Sequence, residues 1–107
     1  MDTIKINDIE RPIKFGVWAI KEFAKIKGMD LDTVIGTLDK LGTEDTISLI
    51  YCGFLYGAKV EKIEIDFDED DVWFWIDEDP DLANKVMNVF SKNAPNPKKD
   101  TPQEKGQ

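Results

Sequence analysis

The sequence has no histidine and only one cysteine, Cys52. Without histidine the commonest general acid–base and the commonest metal ligand are both missing. One cysteine excludes an intrachain disulfide, and zinc sites of the usual Cys and His kind cannot be assembled. Cys52 stands in the apolar run Ile47–Tyr56, where a thiol reads as a small buried hydrophobe and not as a nucleophile. There is no glycine-rich phosphate loop and no internal repeat, so no cofactor and no enzymatic activity are expected. No apolar stretch approaches the ~20 residues of a membrane span. The opening Met1-Asp2-Thr3-Ile4-Lys5 lacks the charged-then-apolar pattern of a signal peptide, which predicts a cytosolic protein. Positive charge is also scarce. Lys and Arg number 14 against 22 Asp and Glu, a net charge of −8. Phosphate backbones and anionic membranes repel such a chain, so its partners are expected to be proteins.

The chain has 107 residues, 41% of them hydrophobic, enough for one small domain with one core. Ile4 and Ile6, then Ile13 and Phe15, alternate with polar residues at a period of two, and Asn7–Glu10 is turn-prone. The pattern predicts a short N-terminal hairpin, with Pro12 holding its strand to an edge. Helical spacing follows over Gly16–Lys27, with Gly28 placed to end the helix, and over Leu31–Leu41, with Asp30 as its cap and Gly42 as its end. Thr43 can cap a third helix through Ile47–Tyr56, which has almost no polar face; after Gly57 the pattern blurs. A helix apolar all round and too short for a membrane is surrounded by protein. Ile63, Ile65 and Phe67 alternate with Lys62, Glu64 and Asp66, which fits a short strand or an extended link, and Val60–Phe67 could pair between chains in a homo-oligomer. Asp68 caps a fourth helix, Glu69–Glu78, and Asp79-Pro80 starts a fifth whose apolar face is Leu82, Val86, Val89 and Phe90. The expected fold is α+β and mainly helical: a short N-terminal β-hairpin packed on a bundle of about five helices. Residues 1–92 form one globular domain. Residues 93–107, with three prolines and no large apolar side chain, are expected to form a disordered polar tail.

Eleven carboxylates, half the total, lie between Glu61 and Asp81. Asp66-Phe67-Asp68-Glu69-Asp70 imitates the start of a calcium loop, but Asp71 stands where that loop needs glycine and Val72–Ile76 is too apolar to supply ligands. No metal site is expected. Within this acidic stretch the run Trp73-Phe74-Trp75 is the candidate partner-binding site. On a helical wheel Val72 and Ile76 define the inward face, Trp73 and Trp75 flank it, and Phe74 points outward. An exposed phenylalanine bordered by the edges of two tryptophans has the character of an interface patch.

The order of elements is a hairpin ending in Ile13-Lys14-Phe15-Gly16, a helix Val17-Trp18-Ala19-Ile20-Lys21-Glu22-Phe23 and an apolar helix Ile47–Tyr56. Then come Asp70-Asp71-Val72-Trp73-Phe74-Trp75-Ile76-Asp77-Glu78-Asp79-Pro80 and a polar tail. Over roughly residues 2–92 this resembles the tail assembly chaperones of siphophages and related prophages. The resemblance implies a non-enzymatic factor acting in the host cytoplasm. Such a factor binds the tape measure protein, keeps it soluble and helps bring tail tube subunits to it. The family often makes a longer form by ribosomal frameshifting, and Lys98-Lys99 is compatible with a slippery run of adenines. Two other protein-binding roles fit the composition: an acidic inhibitor or DNA mimic aimed at a basic nucleic-acid enzyme, and a small virion tail-completion protein.

Overall fold

The computed structural model describes residues 1–93, with the side chain of Asn93 outside the description; of the expected tail, Asn93 is the last residue of a helix and residues 94–107 lie outside the described residues. The architecture is the expected one, an N-terminal antiparallel hairpin followed by five helices. Strands β1 (Thr3–Ile6) and β2 (Ile9–Pro12) pair with Ile6 opposite Ile9 and Thr3 opposite Pro12. The second strand therefore precedes the expected Ile13–Phe15. Its turn has two residues, Asn7 and Asp8, both with positive φ (52° and 67°). Two left-handed residues give a turn whose twist matches that of the strands, and Asn and Asp tolerate that conformation well.

Beyond β2 the chain docks on the helix that organises the fold. Helix α3 (Thr43–Glu61) contacts β2, α1 (Val17–Lys27) and α4 (Glu69–Glu78). The Lys14 N–H donates to the Gly53 carbonyl (3.1 Å), and the ring of buried Phe15 lies over Gly53. A β-carbon at Gly57 would stand 2.3 Å from the Pro12 carbonyl oxygen. Glycine at these two positions, one turn apart, lets an extended segment lie directly on the helix. Gly57 is thus interior to α3 and does not end it. The helix runs on to Glu61 and closes at Lys62 in the left-handed conformation (φ 58°), with the Ile63 N–H donating to the Ala58 carbonyl (2.9 Å). At the other end the N-cap position is Gly42, without a side-chain cap, and Thr43 is the first helical residue.

Helix α1 ends as expected at Gly28 (φ 68°), where the Met29 N–H donates to the Ala24 carbonyl. Its buried face is Ala19, Ile20, Phe23 and Ala24, whereas Val17 is exposed. Asp30 caps α2 (Leu31–Thr37) by accepting from the Thr33 N–H (2.8 Å), and a 3-10 turn, Leu38–Lys40, continues it. Helix α5 (Leu82–Asn93) begins two residues after Pro80, because the Leu82 N–H donates to the Asp79 carbonyl in the preceding turn. Its face of Leu82, Val86 and Val89 is buried, with Phe90 edge-on to Phe15 at 5.2 Å. One core joins the hairpin isoleucines to all five helices.

Candidate functional site

Helix α4 presents the candidate surface. Its start is held by a reciprocal capping box: Asp68 accepts from the Asp71 N–H (3.0 Å) and Asp71 accepts from the Asp68 N–H (2.9 Å). Three acidic residues in the first turn complement the helix dipole. Ser48, buried in α3, donates to Glu69 (3.0 Å) and fixes the helix N-terminus against the core. The helix is therefore rigidly mounted at its first turn, and its rotation is set by what it buries.

It buries Val72 and Trp75. Trp75 is only 8% exposed, so the expectation that its edge contributes to a surface patch is corrected. Its ring packs against Phe54 (5.5 Å) and Phe67 (5.5 Å), and the Arg11 guanidinium lies 4.8 Å from its centroid. Arg11 also covers Phe67 (5.4 Å) and pairs with Asp66 (3.1 Å). The Arg11 guanidinium from β2 and the Phe67 ring from the linker cover the tryptophan that a helical wheel leaves at the border. Ile76, placed inward by the wheel, is half-buried.

Trp73 and Phe74 remain outside, at 38% and 64% exposure. The positions one turn away from Phe74 are Asp70, Asp71, Asp77 and Glu78, and α4 contains no basic residue. Two large aromatic side chains, consecutive on the helix, thus stand partly exposed inside a frame of carboxylates. Large aromatic side chains left partly exposed among the described residues are candidates for contact with another molecule.

The remaining groups offer little chemistry. Cys52 is fully buried, and burial pushes its thiol up to about 12. Burial likewise raises Tyr51. Hydrogen bonds hold three carboxyls below their ordinary range: Asp30 through the Thr33 backbone N–H, Asp66 through the Arg11 side chain, and Asp79 through the Lys85 side chain and then the Asp81 N–H. Among the described residues no three His, Cys, Asp or Glu side chains converge so as to hold a metal ion, and no helix is long and apolar enough to cross a membrane. A scan against models of known protein families gives no match, and neither curated proteins nor solved structures yield a similar chain.

Other exposed groups were not singled out by sequence patterning. Lys14 lies over Tyr56, and Lys21 and Lys59 over Trp18, which itself stacks on Tyr56 at 5.2 Å. This basic, aromatic face draws on three segments: the link from β2 to α1, α1 and α3. Ile9, Ile63 and Ile65 are also about half exposed, and only the alternation around Ile63 and Ile65 signalled them beforehand.

Proposed function

We propose that this chain is a non-catalytic binding protein acting in the bacterial host cytoplasm. In this reading it is a phage tail assembly chaperone that covers apolar helix faces of the tape measure protein and helps recruit tail tube subunits. The observation that carries the reading is the pair Trp73 and Phe74, exposed together on a helix fixed at its N-terminus. An aromatic pair of this kind gives an apolar client face something to bury, while a net charge of −8 keeps the resulting complex dispersed. The absence of histidine and the burial of the sole thiol suit a protein that binds and does no covalent chemistry.

Co-expression tests it. A candidate tape measure protein, chosen from the same genome as a very long helical reading frame, is expressed alone and together with this chain, and its soluble fraction is measured. The client is expected to stay soluble and co-purify only when this chain is present. Equal insolubility in both arms would reject the chaperone role. Recovery of the chain in purified particles would assign it to the virion instead.

A further inference from the structure

A groove of about 130 Å³ lies between the outer edge of β2 and the linker that joins α3 to α4. Pro12, Phe54, Ala58 and Phe67 line it, and Ile9 and Ile63 also border it, each about half exposed. At about 30 Å³ per water molecule the volume equals about four waters, room for one aliphatic side chain.

Among the described residues both sides of the groove carry unpaired backbone. The pairs flanking the two-residue turn alternate, so Ile6–Ile9 and Ile4–Arg11 exchange ladder bonds while Lys5–Glu10 does not. The N–H and C=O of Glu10 therefore point away from β1. Across the groove the N–H groups of Glu64 and Ile65 find no backbone acceptor among the described residues. A free strand edge bordered by exposed isoleucines is the arrangement that captures an added strand.

Charge selects the occupant. Glu10, Glu64 and Asp66 line the groove, and Arg11, the one cation lining it among the described residues, is already paired with Asp66. A second copy would bring its own Glu64 and Asp66 and a net charge of −8, so like charges would meet. Residues 94–107 contain no large apolar side chain to fill the space. We propose that this groove takes an extended, cationic segment of a partner protein. That segment adds as a third strand along β2, seats one aliphatic side chain between Ile9 and Ile63, and places lysine or arginine against Glu10 and Glu64. The proposal does not depend on the chaperone reading, and either can fail alone.

The test titrates the full-length, ¹⁵N-labelled chain with a short peptide of alternating lysine and valine. A second titration uses the same peptide N-methylated at alternate backbone amides, and a third uses alternating glutamate and valine. The lysine peptide is expected to bind, shift the Glu10 and Ile65 amides and slow Glu10 exchange. The N-methylated peptide, and the lysine peptide with Glu64→Lys, are expected to bind about tenfold or more weakly, a loss of about 1.4 kcal/mol. The glutamate peptide should not bind. Equal binding of the methylated and unmethylated peptides would mean charge attraction alone and would overturn the proposal. So would shifts confined to α4, or no binding of the lysine peptide.

Discussion

Gly53 and Gly57 stand one turn apart on α3, and at each another part of the chain comes too close for a β-carbon. The neighbour at Gly57 is the Pro12 backbone, which cannot swing aside. Gly57→Ala is therefore expected to destabilise by about 1–3 kcal/mol through overpacking, even though alanine favours the helix by up to ~1 kcal/mol. Gly36 in α2 supplies the control, because nothing lies within 4 Å of the β-carbon it would gain. Gly36→Ala should raise stability by about 0.5–1 kcal/mol, and urea unfolding of both variants checks the contrast. Cys52, buried and held protonated to about 12, should resist a disulfide reagent at pH 8 in the folded protein and react at once in urea. Rapid labelling without denaturant would place the thiol outside the core.

Among the elements, α4 was the most legible, because its boundaries are written locally: Asp68 and Asp71 cap each other within four residues. Asp68→Ala should cost about 1 kcal/mol in thermal or urea unfolding. Local signals misled where a distant contact decides. Gly57 looks like a terminator in sequence, yet it is glycine because Pro12 passes over it. Trp75 sits at the border of a helical wheel, yet Arg11 and Phe67 close over it, and no periodicity within α4 reveals either residue. The second strand of the hairpin begins earlier than expected because the turn closes on Asn7 and Asp8, both left-handed. Phe74 was placed outside by spacing and is outside, whereas Trp73 and Trp75, both placed at the flanks, part company: Trp73 is partly exposed and Trp75 is buried. The connection between elements also sets a pH dependence. Asp66, bridging the linker to β2 through Arg11, has its folded-state pKa depressed by that pairing. Its contribution is present above the unfolded value of about 3.9 and lost as pH falls further through the folded value. The stability difference between the natural chain and Asp66→Asn should thus be constant from about pH 7 to 5 and shrink below about pH 4. An unchanged difference at pH 3 would contradict the pairing.

At the scale of the molecule, one buried helix carries the rest. Helix α3 supports β2, α1 and α4, and a core shared by the hairpin and five helices leaves a surface of charge, exposed aliphatic side chains and two exposed rings. The carboxylates gather on α4 and the linker before it, while Lys14, Lys21 and Lys59 gather around Trp18 and Tyr56. An acidic molecule with a rigid aromatic ridge is suited to holding an apolar helix without joining it in aggregation. The most direct measurement of that account is the affinity of the natural chain and of Phe74→Ala for a soluble helical fragment of the proposed client, by calorimetry, with circular dichroism confirming that both fold alike. Phe74 is 64% exposed, so its truncation should leave stability within about 0.5 kcal/mol. Affinity should fall by about 2 kcal/mol or more, roughly thirtyfold, as expected for an aromatic hot spot. Equal affinity of the two proteins would show that the ridge on α4 is not where the client binds.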